Sequence, residues 1–167
     1  GELGRSPWLI PNYGTRKAAS RPESSGPLSG EELKLLDGYK AELLYTVPKE
    51  EQGSWVNMTV DPKGRLITSD QGDAGLFRVT IEDNPEQPVK VEPLQIKLPD
   101  SDKIISGAQG LVVSGDYLYA HLSGGLLYRL KDTDGDDIPD LVEALPSTAN
   151  GGEHGNHAVI QSPGGDK

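Results

Sequence analysis

From residue 39 onward, apolar and polar residues alternate at a spacing of two, the period of a half-buried β-strand. Residues 39–47 read as a strand with mixed faces, and 55–60 and 65–69 as a hairpin around Asp61-Pro62-Lys63-Gly64. In that turn Pro presets φ and Gly accepts a positive φ. Residues 75–81 give a further strand and 89–98 another, with Pro93 placing the latter at a sheet edge or a bulge. Upstream, Ser29 and Glu32 stand three apart before an apolar run, a short capping-box signature for one or two helical turns over 28–36, ended by Gly38. Residues 1–30 are rich in Gly, Pro, Ser and Arg and read as an irregular lead-in.

The strand order then recurs. Residues 108–113, a turn at 114–116, and strands at 117–121 and 125–130 repeat the earlier set, with 125–130 matching 75–79. A third start follows at 157–161, with a turn at 162–166. Gly64 and Gly115 stand 51 positions apart, and Gly115 and Gly165 stand 50 apart. A four-strand unit at about this period is the signature of propeller blades. The expected fold is therefore all-β: a β-propeller fragment of about two and a half four-stranded blades. An irregular segment over 1–37 precedes a partial propeller over 38–167, with blade one at 38–100, blade two at 101–147 and the start of blade three at 148–167. An antiparallel sandwich without a repeat is the competing expectation. One blade cannot cover both its faces, so an isolated piece is expected to be poorly stable or to associate.

Composition narrows the partners. The net charge of −10 disfavours nucleic acid and anionic membrane surfaces. With 21 Gly and 13 Pro, turns are frequent. The chain has no Cys, which excludes disulfides, thiolate metal sites and a haem covalently attached within this stretch. No apolar run approaches the roughly 18 residues of a membrane span. The first residue is not Met and the last four look like an unfinished hairpin turn, so a fragment of a longer protein is expected, and a missing signal peptide says nothing about export.

The strongest local motif runs from Asp132 to Glu143. Carboxylates fall at loop positions 1, 3, 5, 9 and 12 (Asp132, Asp134, Asp136, Asp140, Glu143), with the Ile138 carbonyl at position 7. Those positions wrap a hard cation in oxygen ligands, and their number favours calcium over magnesium. Gly is at position 4 rather than 6, where Asp137 stands; Asp tolerates the left-handed conformation better than most residues. A solvated acidic hairpin is the plainer alternative.

A second constellation, residues 151–157, precedes the innermost strand of the third unit. It offers His154 and His157 as candidate bases, with Glu153 and Asn156 beside them and Gln109 at the corresponding place in the second unit. Histidine takes up a proton near neutral pH. Channel-lining histidines without chemistry are the equal alternative. Gln52, Ser54 and Asn57 are further polar groups at corresponding strand entrances, the 70–73 turn after the second strand of the first unit is another candidate lining, and His121 reads as structural.

The runs 53–58, 75–79, 127–136 and 152–159 together resemble the propeller domain of exported planctomycete-type proteins described as L-sorbosone dehydrogenase-like or haem-binding-domain proteins. The resemblance covers about 38–167. More distantly, the segment from His154 is similar to the H-x-x-G-x-L pattern of soluble quinoprotein sugar dehydrogenases, with His157 where that pattern has Gly, Ala158 where it has Arg and Val159 where it has Leu. The resemblance implies a periplasmic or extracellular dehydrogenase that oxidises sugars or related alcohols. It implies His154 as base, His157 and Glu153 orienting substrate or pyrroloquinoline quinone, and electrons passing to haem on a cytochrome c domain outside this chain. The rival expectation is a non-catalytic, calcium-stabilised module binding carbohydrate or a protein. A hydrolytic propeller with a metal held by Glu153, His154 and His157 is a third.

Overall fold

The computed structural model describes residues 33–84, 86–146 and 158–164. The chain divides into two compact units, Gly1–Leu43 and Leu44–Lys167. In the first, residues 33–43 carry neither helix nor strand. Residues 33–36 therefore do not form the expected helical turns, and 28–32 lie outside the described residues. Residues 39–47 are not a strand either: among the described residues no strand pairs with them to complete a ladder.

Over its described residues the second unit is all-β apart from one turn of helix, α1 (Lys49–Gln52). That turn stops at Gly53, whose φ of 67° suits glycine and whose N–H donates to the Lys49 carbonyl at 2.9 Å. Among the described residues eight strands follow: β1 (Trp55–Val60), β2 (Leu66–Asp70), β3 (Leu76–Thr80), β4 (Lys90–Leu94), β5 (Ala108–Ser114), β6 (Tyr117–Leu122), β7 (Leu126–Lys131) and β8 (Leu141–Leu145). They form two antiparallel four-stranded sheets, ordered β1-β2-β3-β4 and β5-β6-β7-β8, which do not close on one another. Pro93 sits on the edge strand β4 opposite Phe77, where a missing N–H costs no ladder bond to an outer neighbour. Residues 158–161 form no strand, having no described partner, although a turn is present at 163–164.

The two sheets share one register. Met58 faces Thr68 as Leu111 faces Ala120, Leu66 faces Val79 as Leu118 faces Leu130, and Leu76 faces Leu94 as Leu127 faces Leu145. Even the irregularity recurs: Val56 in β1 and Gln109 in β5 each fall at a shift in the ladder, the mark of a β-bulge. Cross-strand ion pairs recur too, Arg78 with Glu92 in one sheet and Arg129 with Glu143 in the other.

Between the sheets lies the core. Ile67, Leu76 and Leu94 of the first sheet cluster with Leu111, Leu118, Ala120, Leu122, Tyr128 and Leu130 of the second. The connection between them is not a bare loop: Lys97 bridges Ile104, and the connection lays Ile96 and Ile105 into the core. Polar groups fix the sheets laterally. The Asn57 side chain donates to the Gln109 carbonyl (2.7 Å) and accepts from the Leu111 N–H (3.1 Å), and the Ser69 hydroxyl accepts from the Ala108 N–H (2.9 Å). Asn57 thus satisfies both backbone groups that flank the bulge in β5. Asn57→Ala leaves both unpaired, and urea unfolding is expected to show a loss of about 1–3 kcal/mol, whereas a loss within error would mean that water replaces the amide.

Candidate metal centre and the residues around it

The acidic loop joins β7 to β8. Carboxylate oxygens of Asp132, Asp134 and Asp136 come within 4.8 Å of one another. Oxygens gathered this closely are able to share one metal ion. The loop is held open for such a cluster by its own backbone. Asp132 accepts from the N–H groups of Gly135 (2.8 Å) and Asp137 (2.9 Å), and Asp136 accepts from that of Ile138 (2.8 Å). Gly135 (φ 85°) and Asp137 (φ 71°) both take the left-handed conformation that turns the chain back on itself.

Asp140 and Glu143 are not in that cluster. The Asp140 carboxylate accepts from the Thr133 hydroxyl and from its N–H (2.7 Å). These bonds, the hydroxyl first, hold its pKa below the ordinary carboxylate value. Glu143 lies on β8 directly opposite Arg129 and accepts from its guanidinium at 2.8 and 2.9 Å. The equivalent Glu92 pairs with Arg78 in the first sheet, whose β3–β4 connection carries Glu82, Asp83 and Glu86 but not the alternate-residue spacing of Asp132, Asp134 and Asp136. The twelfth loop position thus coincides with a framework pair that both sheets possess, a coincidence the loop spacing alone could not reveal.

Asp137, the residue standing where a glycine was expected, has a use. Its carboxylate pairs with Lys63 (2.6 Å) and Arg65 (3.1 Å), both of the β1–β2 region, and its carbonyl accepts from Arg78 of β3 at 2.7 Å. The Arg65 guanidinium also pairs with Asp61 at 2.7 Å. The acidic loop is thereby fastened across to the other sheet, beside a cavity of about 180 Å³ lined by Arg65, Arg78, Leu94 and Tyr117 among others.

Of the second constellation, Glu153, His154, Asn156 and His157 lie outside the described residues. Gln109 is described, and what it contributes is its backbone carbonyl, taken by Asn57. His121 is buried with both ring nitrogens lacking a hydrogen-bond partner among the described residues. The 70–73 turn is built around Asp70, which is buried and accepts from the N–H groups of Ser54 (2.6 Å), Gly72 (2.9 Å) and Ala74 (3.0 Å). A Cβ on Gly53 would come within 2.1 Å of its carboxylate, so Gly53 is needed for the approach as well as for its φ. An isolated Asp before a Gln-Gly turn gives little sign of this, because its donors come from 16 residues upstream as well as from the turn.

Comparison with protein-family models, with curated proteins and with solved structures gave no match to this chain.

The Asp137 pairing makes a pH prediction. Lys63 first, then Arg65, lowers its pKa from 3.8 to about 2. A carboxylate with a depressed folded value adds stability that is fully present above its unfolded value and is lost as pH falls through the folded one. Asn also accepts the left-handed backbone, so Asp137→Asn removes the charge and leaves the turn. The wild type is expected to be the more stable by a constant margin above about pH 4, shrinking to nothing towards about pH 2. Thermal melts of both proteins across that range check this, and a margin independent of pH would show that the ion pair contributes nothing.

Proposed function

We propose that the two sheets are neighbouring blades of a β-propeller and that the 132–143 loop binds calcium to fasten one blade to the next. The observation that carries this is Asp137: the loop whose carboxylates converge also holds Lys63, Arg65 and Arg78 of the adjacent sheet. An ion that draws Asp132, Asp134 and Asp136 together fixes the turn at Gly135 and Asp137, and so presents the Asp137 carboxylate and carbonyl to the neighbouring cations. Three carboxylates with the Ile138 carbonyl leave coordination to be completed by water. Such a site suits the weak affinities of extracellular calcium modules, in keeping with a periplasmic or extracellular setting.

The protein's role on this reading is that of a rigid ligand-binding module, with carbohydrate or a protein as the partner. A catalytic reading stands beside it, favoured by the order of the chain: the 151–157 segment, with His154 and His157, precedes residues whose pattern matches β1 and β5. There the resemblance to L-sorbosone dehydrogenase-like and quinoprotein proteins suggests oxidation of a sugar or related alcohol, with pyrroloquinoline quinone or a haem domain as electron acceptor.

Calcium is expected to raise the melting temperature in step with occupancy, by the equivalent of about 2.7 kcal/mol at a hundredfold excess over the dissociation constant. Asp134→Asn with Asp136→Asn should abolish that rise and leave the calcium-free melt nearly unchanged. A wild type indifferent to calcium overturns the site. For catalysis, dye-linked oxidation of a sugar and alcohol panel, with and without added quinone, is expected to turn over in the wild type and to lose at least about a hundredfold in His154→Ala. A calcium-loaded protein inactive across the panel favours the binding module.

A further inference from the structure

The cross-strand ion pair that both sheets share is tight in one and slack in the other. Arg129 holds Glu143 at 2.9 Å through Nε and at 2.8 Å through Nη2. Arg78 stands 3.5 Å from Glu92, whose carboxylate lies nearer to Lys90, at 3.0 Å. The Arg78 Nε is consequently buried without a hydrogen-bond partner. Among the described residues, the guanidinium makes a single hydrogen bond, from Nη1 to the Asp137 carbonyl at 2.7 Å. Arg78 is only 8% exposed. A guanidinium carries five N–H donors, and a buried charge is ordinarily met by an opposite one in good geometry. Arg78 is a buried cation left short of acceptors.

This cation borders the cavity of about 180 Å³ between the two sheets. The floor is formed by Ile67, Leu94, Leu118 and Leu130, all buried. Pro62, Gly115 and Asp116 at its rim are exposed, so the cavity runs from solvent to core. Arg65 lines it too, with Nε engaged by Asp61, Nη1 by Asp137, and Nη2 without a hydrogen bond among the described residues. Both guanidiniums meet on Asp137, and each keeps an unengaged Nη2.

The carboxylates of the lining already have partners. Asp61 pairs with Arg65, Asp137 with Arg65 and Lys63, and Asp116 with Lys131, while Asp132 accepts two backbone N–H groups. Around the guanidiniums, the three cations Lys63, Arg65 and Arg78 face the two carboxylates Asp61 and Asp137, an excess of one positive charge that a monoanion balances. The planar fork of arginine matches a carboxylate. An apolar cavity of about 150 Å³ admits benzene, so this one has room for a single ring.

We infer that this cavity binds a small monocarboxylic acid whose apolar body is about one ring in size. The body lies on Ile67 and Leu94, and the carboxylate accepts from Arg65 and Arg78. Neither calcium binding nor oxidation enters the inference.

The test is isothermal titration calorimetry of benzoate and cyclohexanecarboxylate into the 167-residue chain, in buffers with and without calcium. Benzamide serves as the uncharged isostere of benzoate, and sulfate as an anion without an apolar body. Saturable one-site binding of at least one of the two acids is expected, with benzamide and sulfate each at least about tenfold weaker. Arg78→Leu removes the cation and Val113→Phe fills the cavity, and each is expected to weaken the acid at least about tenfold while keeping the wild-type circular dichroism. Glu92→Gln removes the carboxylate that competes for Arg78, so it should tighten the acid about threefold, a gain that misfolding does not produce. Binding of neither acid in either buffer overturns the inference. So do folded Arg78→Leu and Val113→Phe proteins that bind as the wild type does, or a Glu92→Gln protein that binds no more tightly. Benzamide or sulfate binding as well as the acids overturns the ligand class.

Discussion

A half-apolar sheet of four strands has two faces to cover, and this requirement shapes most of what the molecule does. The first sheet solves half of it by lying against the second, and the connection between them adds Ile96 and Ile105 to the shared core. Four polar side chains serve that contact. Asn57 and Ser69 reach across to backbone groups that β5 leaves open at its bulge and its start. Arg65 and Arg78 reach the acidic loop. Apolar burial holds the sheets together, and these directed bonds fix how they sit.

The acidic loop combines two tasks that are usually separate. Its first five residues gather negative charge, and its sixth exports a carboxylate and a carbonyl to a neighbour. Glycine at that sixth place would make the same turn and offer no carboxylate. Aspartate accepts the less comfortable backbone and gains Lys63 and Arg65 in exchange.

Much of this was legible in the residues. Period-two alternation located the strands of both sheets, and the recurrence of turn glycines at about fifty positions exposed the repeat. The pattern failed at 39–47, because alternation records what a strand could bury and not whether a partner is present to complete its ladder. It also missed the short ladder at Lys97 and Ile104, which holds only one bridge. At the acidic loop, spacing found Asp132, Asp134 and Asp136, yet it also enrolled Glu143, whose tie to Arg129 depends on a register that only the paired strands define. Asp70 went undervalued for a similar reason, its hydrogen-bond donors being scattered along the chain.

The repeat is imperfect at one telling place. Asn57, which grips the second sheet with two hydrogen bonds, has Gly110 as its counterpart. A glycine has no side chain with which to grip whatever lies beyond. The clasp of two hydrogen bonds therefore belongs to the junction between these two sheets, and the outer face of the second sheet carries no copy of it.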